Sequence, residues 1–427
     1  MSVPTKKKTY LGFGLGAVQS GLMLFEAYKS NNFDRFVILE VNPGLVNEIR
    51  SNHCFLTINT ATNSGILKST ISDFEIYNPT DGKDQAAIAA AIHDADEMAT
   101  AIPSTDFYDQ GANSLARLLA TNINPNKSQI VYAAENNNYA AEILVEKMKA
   151  YTSEKALGQF QAINTVIGKM GGVIQDDATI SELGLEPMTP HSNTAVLVEQ
   201  FNHIIISKIR LQHYQRGIEV FQEKDDLLPF EEAKLFGHNA VHSVLGFLAA
   251  LRGYTFMSEI RNDPTLYAYG VQAFLNECGA FLLRKYKQFD DALFTPEGFK
   301  WYATDLLERM TNPFLRDEVR RICRDPLRKL EFDDRLFGTI REALKQNVRP
   351  TMLAKTVLGA VCYIINNKID AGFPYPVSIK ELRPENVRSM VLSLWKNKPQ
   401  DDSSNECLDL IDAQFDEFYD EFIRAKN

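Results

Sequence analysis

Three side chains suited to proton transfer and oxygen binding lie close together just past the middle of the chain: Lys234, Asn239 and His242. A lysine becomes an effective general base when burial lowers its pKa. An asparagine amide donates hydrogen bonds to a carbonyl oxygen or a developing alkoxide, and a histidine can hold the same oxygen. Oxidation of an alcohol without a metal needs one proton acceptor and several groups that bind the reacting oxygen. The residue types therefore predict metal-independent oxidoreduction at a carbon that bears a hydroxyl group.

A further histidine in this stretch, His238, leaves two other interpretations open. His238 and His242 have the spacing of two zinc ligands on a helix, but neither is followed by glutamate as in HExxH, and no third ligand stands out. We therefore predict no metal site. The second interpretation is a helix surface with one lysine and two structural histidines. A regular α-helix from about residue 230 would place Lys234 and His238 on one face and group Lys234, Asn239 and His242 only loosely.

A glycine-rich turn near the start of the chain suits phosphate binding. An apolar strand from Thr9 is followed by Gly14 and Gly16 and then by a helical pattern. Free N–H groups at the start of such a helix attract phosphate, and glycines let the backbone approach a pyrophosphate. Gln19 occupies the place of the usual third glycine. A tight structural turn is the alternative interpretation of such a motif.

An acidic residue, Glu40, ends the next apolar run, Phe36–Glu40. A carboxylate at this position accepts hydrogen bonds from the adenosine ribose hydroxyls and repels a 2′-phosphate. The pattern therefore favours NAD over NADP as the cofactor.

Strands and helices alternate over the first part of the chain, which predicts a doubly wound parallel sheet. Ligands lie at the carboxyl ends of such strands, so Ile102 and Glu135 are predicted to contact the cofactor and Asn136 to face the nicotinamide. The other interpretation of Asn136 is a cap for the following helix. The β-branched run Ala195–Ile209 is predicted to add strands to the same sheet.

The pattern changes to almost continuous helix after residue 226, with apolar residues three and four apart. We therefore predict an α/β plus all-α protein: a Rossmann-type domain at residues 1–226 and a helical substrate-binding and catalytic domain at residues 227–427.

The composition excludes several classes of function. A net charge of −10 argues against a nucleic-acid partner, and no run reaches the roughly 18–20 apolar residues of a membrane helix. Five scattered cysteines without a CxxC pair are typical of a reducing compartment. We expect a cytoplasmic protein that acts on a small molecule, as a monomer or small homo-oligomer.

Lys234-x4-Asn239-x2-His242 behind a dinucleotide fold resembles the signature of the polyol-specific long-chain dehydrogenases and reductases, the mannitol dehydrogenase family. The resemblance implies an NAD-dependent enzyme in which Lys234 is the general base. It also implies that Asn239, His242 and Asn136 bind the reacting oxygen. The glycine turn and the Glu40-Val41-Asn42 segment resemble the family's cofactor motifs.

The segments Asn312–Val319 and Arg324–Leu330 look most like the branch that acts on mannitol 1-phosphate. Arg328, Lys329 and Arg335 form a basic group that could pair a substrate phosphate, or could only tie helices together by ion pairs. The resemblance therefore implies interconversion of mannitol 1-phosphate and fructose 6-phosphate.

Three departures leave other functions open. Gln19 replaces a glycine, Ser20 stands where the phosphate-specific enzymes usually carry arginine, and Gly168 stands where the family commonly has aspartate. An unphosphorylated polyol or a hexuronate is the alternative substrate. A nucleotide-sensing protein without turnover is the alternative from another functional class.

Overall fold

A computed structural model describes residues 8–190, 192–372, 375–376, 378–395 and 402–424. The chain forms two compact units, Met1–Phe230 and Glu231–Asn427. No helix in these ranges is long and apolar enough to cross a membrane.

The first unit is built on a sheet whose strand order is β12-β11-β8-β7-β6-β1-β2-β5 in the described residues. Its strands are β1 (Lys8–Phe13), β2 (Phe33–Leu39), β5 (Glu75–Tyr77), β6 (Glu97–Thr100), β7 (Gln129–Ala133), β8 (Phe160–Val166), β11 (Ile205–Ser207) and β12 (Gln222–Lys224). From β8 to β5 every neighbouring pair is parallel. This is the doubly wound Rossmann order, and it confirms the predicted fold.

Both faces of the parallel sheet are buried, as such a sheet requires. Along β1 the side chains alternate: Tyr10 belongs to one apolar cluster with Leu22 and Ile38, whereas Leu11 belongs to another with Met98. The helices of this unit are α1 (Phe25–Ser30), α2 (Pro43–Ser51), α3 (Gln85–Asp94), α4 (Leu115–Asn122), α5 (Ala140–Met148) and α6 (Asp177–Glu182), with a π-helix at Gln19–Leu24 and 3-10 helices at Thr105–Asp109 and Ala156–Gln159.

A second sheet in this unit corrects the prediction for Ala195–Ile209. Its order is β4-β3-β10-β9, where β3 is Leu56–Ala61, β4 is Ile66–Ile71, β9 is Gly171–Ile174 and β10 is Ala195–Glu199. Thus β10 pairs with β3 and β9, and of the predicted run only β11 joins the main sheet. A β-branched run indicates a strand, but its composition does not identify the partner strand.

The second unit is helical in its described residues, apart from one isolated β-bridge between Phe256 and Glu318. The chain enters it through α7 (Leu228–Glu232). Its further helices are α8 (Ala240–Arg252), α9 (Pro264–Val271), α10 (Ala280–Lys285), α11 (Pro296–Met310), α12 (Val319–Ile322), α13 (Pro326–Lys329), α14 (Phe337–Lys345), α15 (Thr351–Asn366), α16 (Pro384–Leu394) and α17 (Asp402–Phe422), with π-helices at Ala233–Asn239 and Gln272–Gly279 and 3-10 helices at Met257–Asn262, Ala292–Phe294 and Ile379–Glu381. The largely buried α15 packs against α8 and α17 and forms the centre of this unit.

Candidate active site

The glycine turn after β1 has the backbone conformation that the sequence motif requires. Gly14 has a φ of +84°, in the left-handed region that favours glycine, and a Cβ there would lie 3.0 Å from the Ala101 carbonyl oxygen. Its N–H donates to the Leu39 carbonyl at 2.8 Å, which ties the turn to the end of β2. Gly16 is exposed, and no atom of the described residues lies within 4 Å of a Cβ placed on it. The turn therefore presents open backbone to a ligand.

A glycine on strand β1, Gly12, compensates for the missing third glycine of the turn. The Gln19 side chain is fully buried and donates to the Tyr10 hydroxyl at 2.6 Å. A Cβ on Gly12 would lie 1.8 Å from Gln19 Nε2, so the strand glycine makes room for the larger helix residue. Gln19 therefore does not prevent close packing of helix and strand. Ser20 is also buried and donates to the Gly16 carbonyl at 2.9 Å.

Glu40 joins the glycine turn to the loop after β2. One carboxylate oxygen accepts from the Leu15 N–H at 2.9 Å, and the other accepts from the Asn42 N–H at 2.8 Å. An ionised carboxylate has about four acceptor positions, so two remain for ribose hydroxyls. The backbone contacts hold the carboxylate at the end of β2, where an adenosine ribose would bind.

An apolar cavity of about 400 Å³ lies beside Glu40, within the first unit. It is lined by Phe13, Gly14, Leu39, Val41, Pro79, Ile102, Pro103, Phe107, Gln110, Asn113, Ser114, Leu115 and Leu118. Such a cavity suits a flat, largely apolar ring such as adenine. Together with the glycine turn and the Glu40 carboxylate, it fits a dinucleotide.

Glu135 lies behind this cavity and is not one of its lining residues. Its carboxylate is buried and accepts from the Ile102 N–H at 3.0 Å, from Thr100 Oγ1 at 2.8 Å and from the Tyr108 hydroxyl. Burial and the Glu135 charge raise the pKa of Tyr108, so its hydroxyl stays protonated as a donor. The carboxylate holds the backbone of Ile102, which lines the cavity, and the direct cofactor contact of Glu135 stays a prediction.

Asn136 is exposed after the end of β7. Two nearby side-chain oxygens accept hydrogen bonds from N–H groups at the start of α5. Asn137 Oδ1 accepts from the Tyr139 N–H at 2.9 Å, and Asn164 Oδ1 accepts from the Ala141 N–H at 2.8 Å. Asn137, within the Asn136–Asn138 run, therefore binds a backbone N–H at the start of the helix, and the oxygen-binding role of Asn136 stays a prediction.

In the second unit, the stretch that carries Lys234 and Asn239 is a π-helix, Ala233–Asn239, and not the regular α-helix predicted from the sequence. Hydrogen bonds in a π-helix join residues five apart, so Lys234 and Asn239 fall on one face. His242 follows one α-helical turn later, in α8. The loose grouping of Lys234, Asn239 and His242 that α-helical spacing predicted is therefore a closer alignment along one face. Short π-helical segments occur frequently at functional sites.

Lys234 has the lowered pKa that a general base needs. Burial, followed by the nearby positive charge of Arg335, lowers the pKa of Lys234 to about 8, against an opposing effect of Glu231. A substantial fraction of neutral amine is therefore present near physiological pH.

His238 is a buried neighbour of the set. Burial, and then the nearby His242, hold the pKa of His238 well below its usual value, so its ring is neutral. The centroids of the His238 and His242 rings lie 5.9 Å apart.

No group of three His, Cys, Asp or Glu side chains in the described part of the chain is arranged to hold a metal ion.

Two members of the predicted basic group pair with one carboxylate, that of Asp334. Arg328 and Arg335 each pair with it at 2.8 Å. Lys329 is buried, donates to the Arg324 carbonyl, and has its pKa lowered to about 8 by burial and by Arg335 and Arg328. Arg335 is the member close enough to Lys234 to affect its pKa, which places it beside the candidate base.

Comparison with known proteins relates this chain to the mannitol dehydrogenases. Residues 226–387 match the family model described as the mannitol dehydrogenase C-terminal domain. A mannitol-1-phosphate 5-dehydrogenase of Brevibacillus brevis is 27% identical over 377 residues, which cover 88% of this chain and 91% of the relative. One from Lacticaseibacillus casei is 26% identical and covers 84% of this chain and 88% of the relative. The chain therefore contains a mannitol dehydrogenase C-terminal domain and is similar over most of its length to mannitol-1-phosphate 5-dehydrogenases.

Two solved structures share the fold of this chain. A Pseudomonas fluorescens mannitol 2-dehydrogenase, in a ternary complex with NAD and D-mannitol, is 14% identical with a TM-score of 0.66, covering 100% of this chain and 94% of that one. A D-sorbitol dehydrogenase in substrate-free form is 13% identical with a TM-score of 0.70, and the match covers 98% of this chain and 96% of that one. At these identities the likeness concerns the fold. It agrees with the Rossmann sheet and the helical unit described above.

The structure also contains candidate site residues that the sequence alone did not predict. The cavity lining includes Val41, Pro79 and Phe107; the exposed apolar Val41 directly after Glu40 was the available signal. Asp317 lies next to His242, with its Oδ2 3.4 Å from Nε2. Asp317 is in a segment already noted for its resemblance to the family, but spacing alone could not connect it to His242.

Proposed function

We propose that the protein is an NAD-dependent, metal-independent oxidoreductase that interconverts mannitol 1-phosphate and fructose 6-phosphate. The observation that carries this proposal is Lys234, whose pKa is lowered to about 8 on the same helical face as Asn239. The full-length relatives with the name mannitol-1-phosphate 5-dehydrogenase support the substrate.

Gly14, Gly16, Glu40 and Ile102 would hold the cofactor. The glycine turn receives the pyrophosphate, Glu40 the adenosine ribose, and the apolar cavity the adenine. Glu135 supports this site through the Ile102 N–H. Bound NAD supplies the acceptor for the hydride that leaves the hydroxyl-bearing carbon.

Lys234 in its neutral form takes the proton of the reacting hydroxyl during oxidation, and its ammonium returns a proton during reduction. The Asn239 amide and His242 hold the reacting oxygen, and Asn136 is the second amide that the family resemblance implies. Glu231 or Glu232 would relay the proton to solvent. Glu231 lies close enough to Lys234 to raise its pKa, and Glu232 is bound by Lys285 at 2.8 Å and by the Tyr286 hydroxyl at 2.6 Å.

Arg335 is the strongest candidate for the substrate phosphate because it lies near Lys234. A planar guanidinium suits phosphate, and Arg328 extends the positive charge along the same segment. Lys329 contributes less, because its ammonium is buried against the Arg324 carbonyl.

An unphosphorylated polyol or a hexuronate is the second candidate substrate. Asp334 already pairs both Arg328 and Arg335, which is what a purely structural ion-pair cluster would do. Gly168 also stands where the family commonly has an aspartate, and this difference bears on which substrate the protein binds.

A substrate panel tests the proposal. Mannitol 1-phosphate, mannitol, fructose 6-phosphate, fructuronate and tagaturonate are compared at fixed NAD or NADH. We expect the highest kcat/KM for the two phosphorylated compounds. Preference for an unphosphorylated compound would select the second candidate, and NAD binding without turnover would indicate a nucleotide-sensing protein.

The pH dependence of turnover should follow Lys234. Below its pKa of about 8 the neutral amine is the minor form, and above that pH it is the major form. kcat/KM for polyol oxidation is therefore expected to rise about tenfold per pH unit below this value and then level off. Reduction needs the ammonium form, so its rate should be level at low pH and fall above about 8. Initial rates in both directions check this, and an oxidation profile still rising near the ordinary lysine value of 10.5 would contradict it.

Glu40→Gln should weaken NAD binding and reduce the preference for NAD over NADP. The amide keeps the shape of the side chain but loses the charge that strengthens hydrogen bonds to ribose hydroxyls. That charge is worth about 1–2 kcal/mol, or roughly tenfold in KM for NAD. KM for NAD and NADP is measured beside the exposed control Glu146→Gln. An unchanged NAD-to-NADP ratio would remove Glu40 from cofactor selection.

A further inference from the structure

The apolar cavity beside Glu40 carries its polar side chains on one segment only. They are Gln110, Asn113 and Ser114, just before α4, and the other lining residues are apolar or glycine. An apolar wall holds a flat ring, but it does not distinguish one purine from another, because purines differ in the polar groups at the ring edge. Residues 110–114 are therefore the part of the lining that can select the base.

Two of these three side chains make only local contacts. The Ser114 hydroxyl is buried and caps α4 by accepting from the Arg117 N–H at 3.4 Å. Gln110 is exposed, and its amide nitrogen donates to the Asp106 carbonyl at 3.1 Å, four residues earlier. Neither contact fixes the side chain against another part of the cavity lining.

Asn113, in contrast, is bound to a distant part of the lining. Its Nδ2 donates to the carbonyl of Pro79, after β5, at 2.7 Å. A carbonyl oxygen can only accept, so the amide atom that faces Pro79 must be the nitrogen, and this contact assigns the orientation of the amide. Gln85 Nε2 donates to the same carbonyl at 2.6 Å, so two donors already occupy its two lone pairs.

The oxygen of the Asn113 amide is the acceptor that remains. Among the described residues, Oδ1 of Asn113 accepts no hydrogen bond. The segment around it is also held in place, because Arg117 Nη1 donates to the Ala112 carbonyl at 3.2 Å and the Tyr151 hydroxyl donates to Asp109 at 2.6 Å. A side chain that is already oriented loses little conformational freedom when a ligand binds.

We propose that Asn113 selects adenine over other purines, with Oδ1 accepting a hydrogen bond from the 6-amino group. The proposal rests on the proposed function, in which this cavity holds the adenine of NAD. Because Glu40 binds the ribose, the 6-amino group lies at the ring edge away from Glu40. Asparagine pairs with the same amino group where proteins recognise adenine in DNA. Hypoxanthine carries a carbonyl oxygen at this position, which cannot donate to Oδ1.

The test compares the binding of NAD with that of nicotinamide hypoxanthine dinucleotide, by titration calorimetry and without any polyol. We expect the natural protein to bind NAD about tenfold more tightly, the order of one hydrogen bond. Asn113→Ala should lower this ratio to less than about threefold, mainly by weakening the binding of NAD. Asn113→Leu, which keeps the size of the side chain but not its oxygen, should give the same ratio.

Two further variants separate base selection from other roles. Asn126→Ala removes an exposed asparagine of the same unit that does not line the cavity, and it should leave both affinities unchanged. A fall of the ratio in Gln110→Ala but not in Asn113→Ala would assign the base contact to Gln110 and overturn the proposal. Equal weakening of both dinucleotides in Asn113→Ala would also overturn it, since Asn113 would then only hold Pro79 in place.

The natural protein by itself separates this proposal from the proposed function. Tight binding of both dinucleotides with a ratio near one would overturn the role of Asn113 and leave NAD as the cofactor. Binding of neither dinucleotide would overturn both. A tenfold ratio that is lost in Asn113→Ala would support the role of Asn113 even if no polyol of the panel is turned over.

Discussion

Replacing Lys234 by alanine is expected to lower kcat for polyol oxidation by at least about 100-fold. The reason is the loss of the proton acceptor, since general-base catalysis typically contributes 10²–10⁴-fold. Lys234 has a pKa of about 8 through burial and the proximity of Arg335, so it is poised to accept a proton near neutral pH. KM for NAD should change little, because cofactor binding is assigned to residues of the first unit. Steady-state kinetics with mannitol 1-phosphate and NAD measure both quantities.

Lys345→Ala is the matched control for this variant. Lys345 is a half-exposed lysine of the same unit that pairs with Glu342, and its loss should leave kcat near the natural value. Lys234→Arg adds a second comparison, because arginine keeps the positive charge but does not lose its proton. Near-normal turnover in Lys234→Ala would remove Lys234 from the mechanism. Recovery of activity in Lys234→Arg would show that only its charge matters.

Replacing Arg335 by glutamine is expected to lower kcat/KM for mannitol 1-phosphate by about 100-fold and for mannitol by less than about threefold. Removing one partner of a close charged pair typically costs 2–5 kcal/mol, and only the phosphorylated substrate would form that pair. The same variant removes a positive charge near Lys234, so the pH profile for oxidation should move upward. The two substrates are therefore compared on the plateau above the new pKa.

Arg320→Gln serves as the control, because Arg320 is 82% exposed and pairs with Glu318. Arg335→Lys should recover part of the loss, since lysine keeps the charge but not the planar guanidinium. Equal losses with mannitol and mannitol 1-phosphate would assign Arg335 to the electrostatics of Lys234 and not to substrate phosphate. The main role of Arg335 in the structure would then be to pair with Asp334.

Local chemistry in the sequence was sufficient to predict much of the fold and the candidate site. Alternating strand and helix patterns predicted the Rossmann sheet, because each element is a local run whose periodicity reflects burial. The glycine turn and Glu40 were recognisable because a left-handed glycine and a carboxylate at a strand end depend on the immediate sequence. Lys234, Asn239 and His242 were found for a similar reason, since all three lie within a few turns of one helix.

Tertiary structure alone decided the features that depend on distant residues. Strand β10 pairs with β3 across more than a hundred residues, and side-chain pattern does not specify such a partner. The π-helix that aligns Lys234 with Asn239 depends on packing of the helix, because the same apolar spacing is compatible with a regular helix. Asp317 reaches His242, and Glu135 reaches Ile102, only after folding. The sequence by itself therefore determined which chemical groups are available, and the tertiary structure determined which of them act on one another.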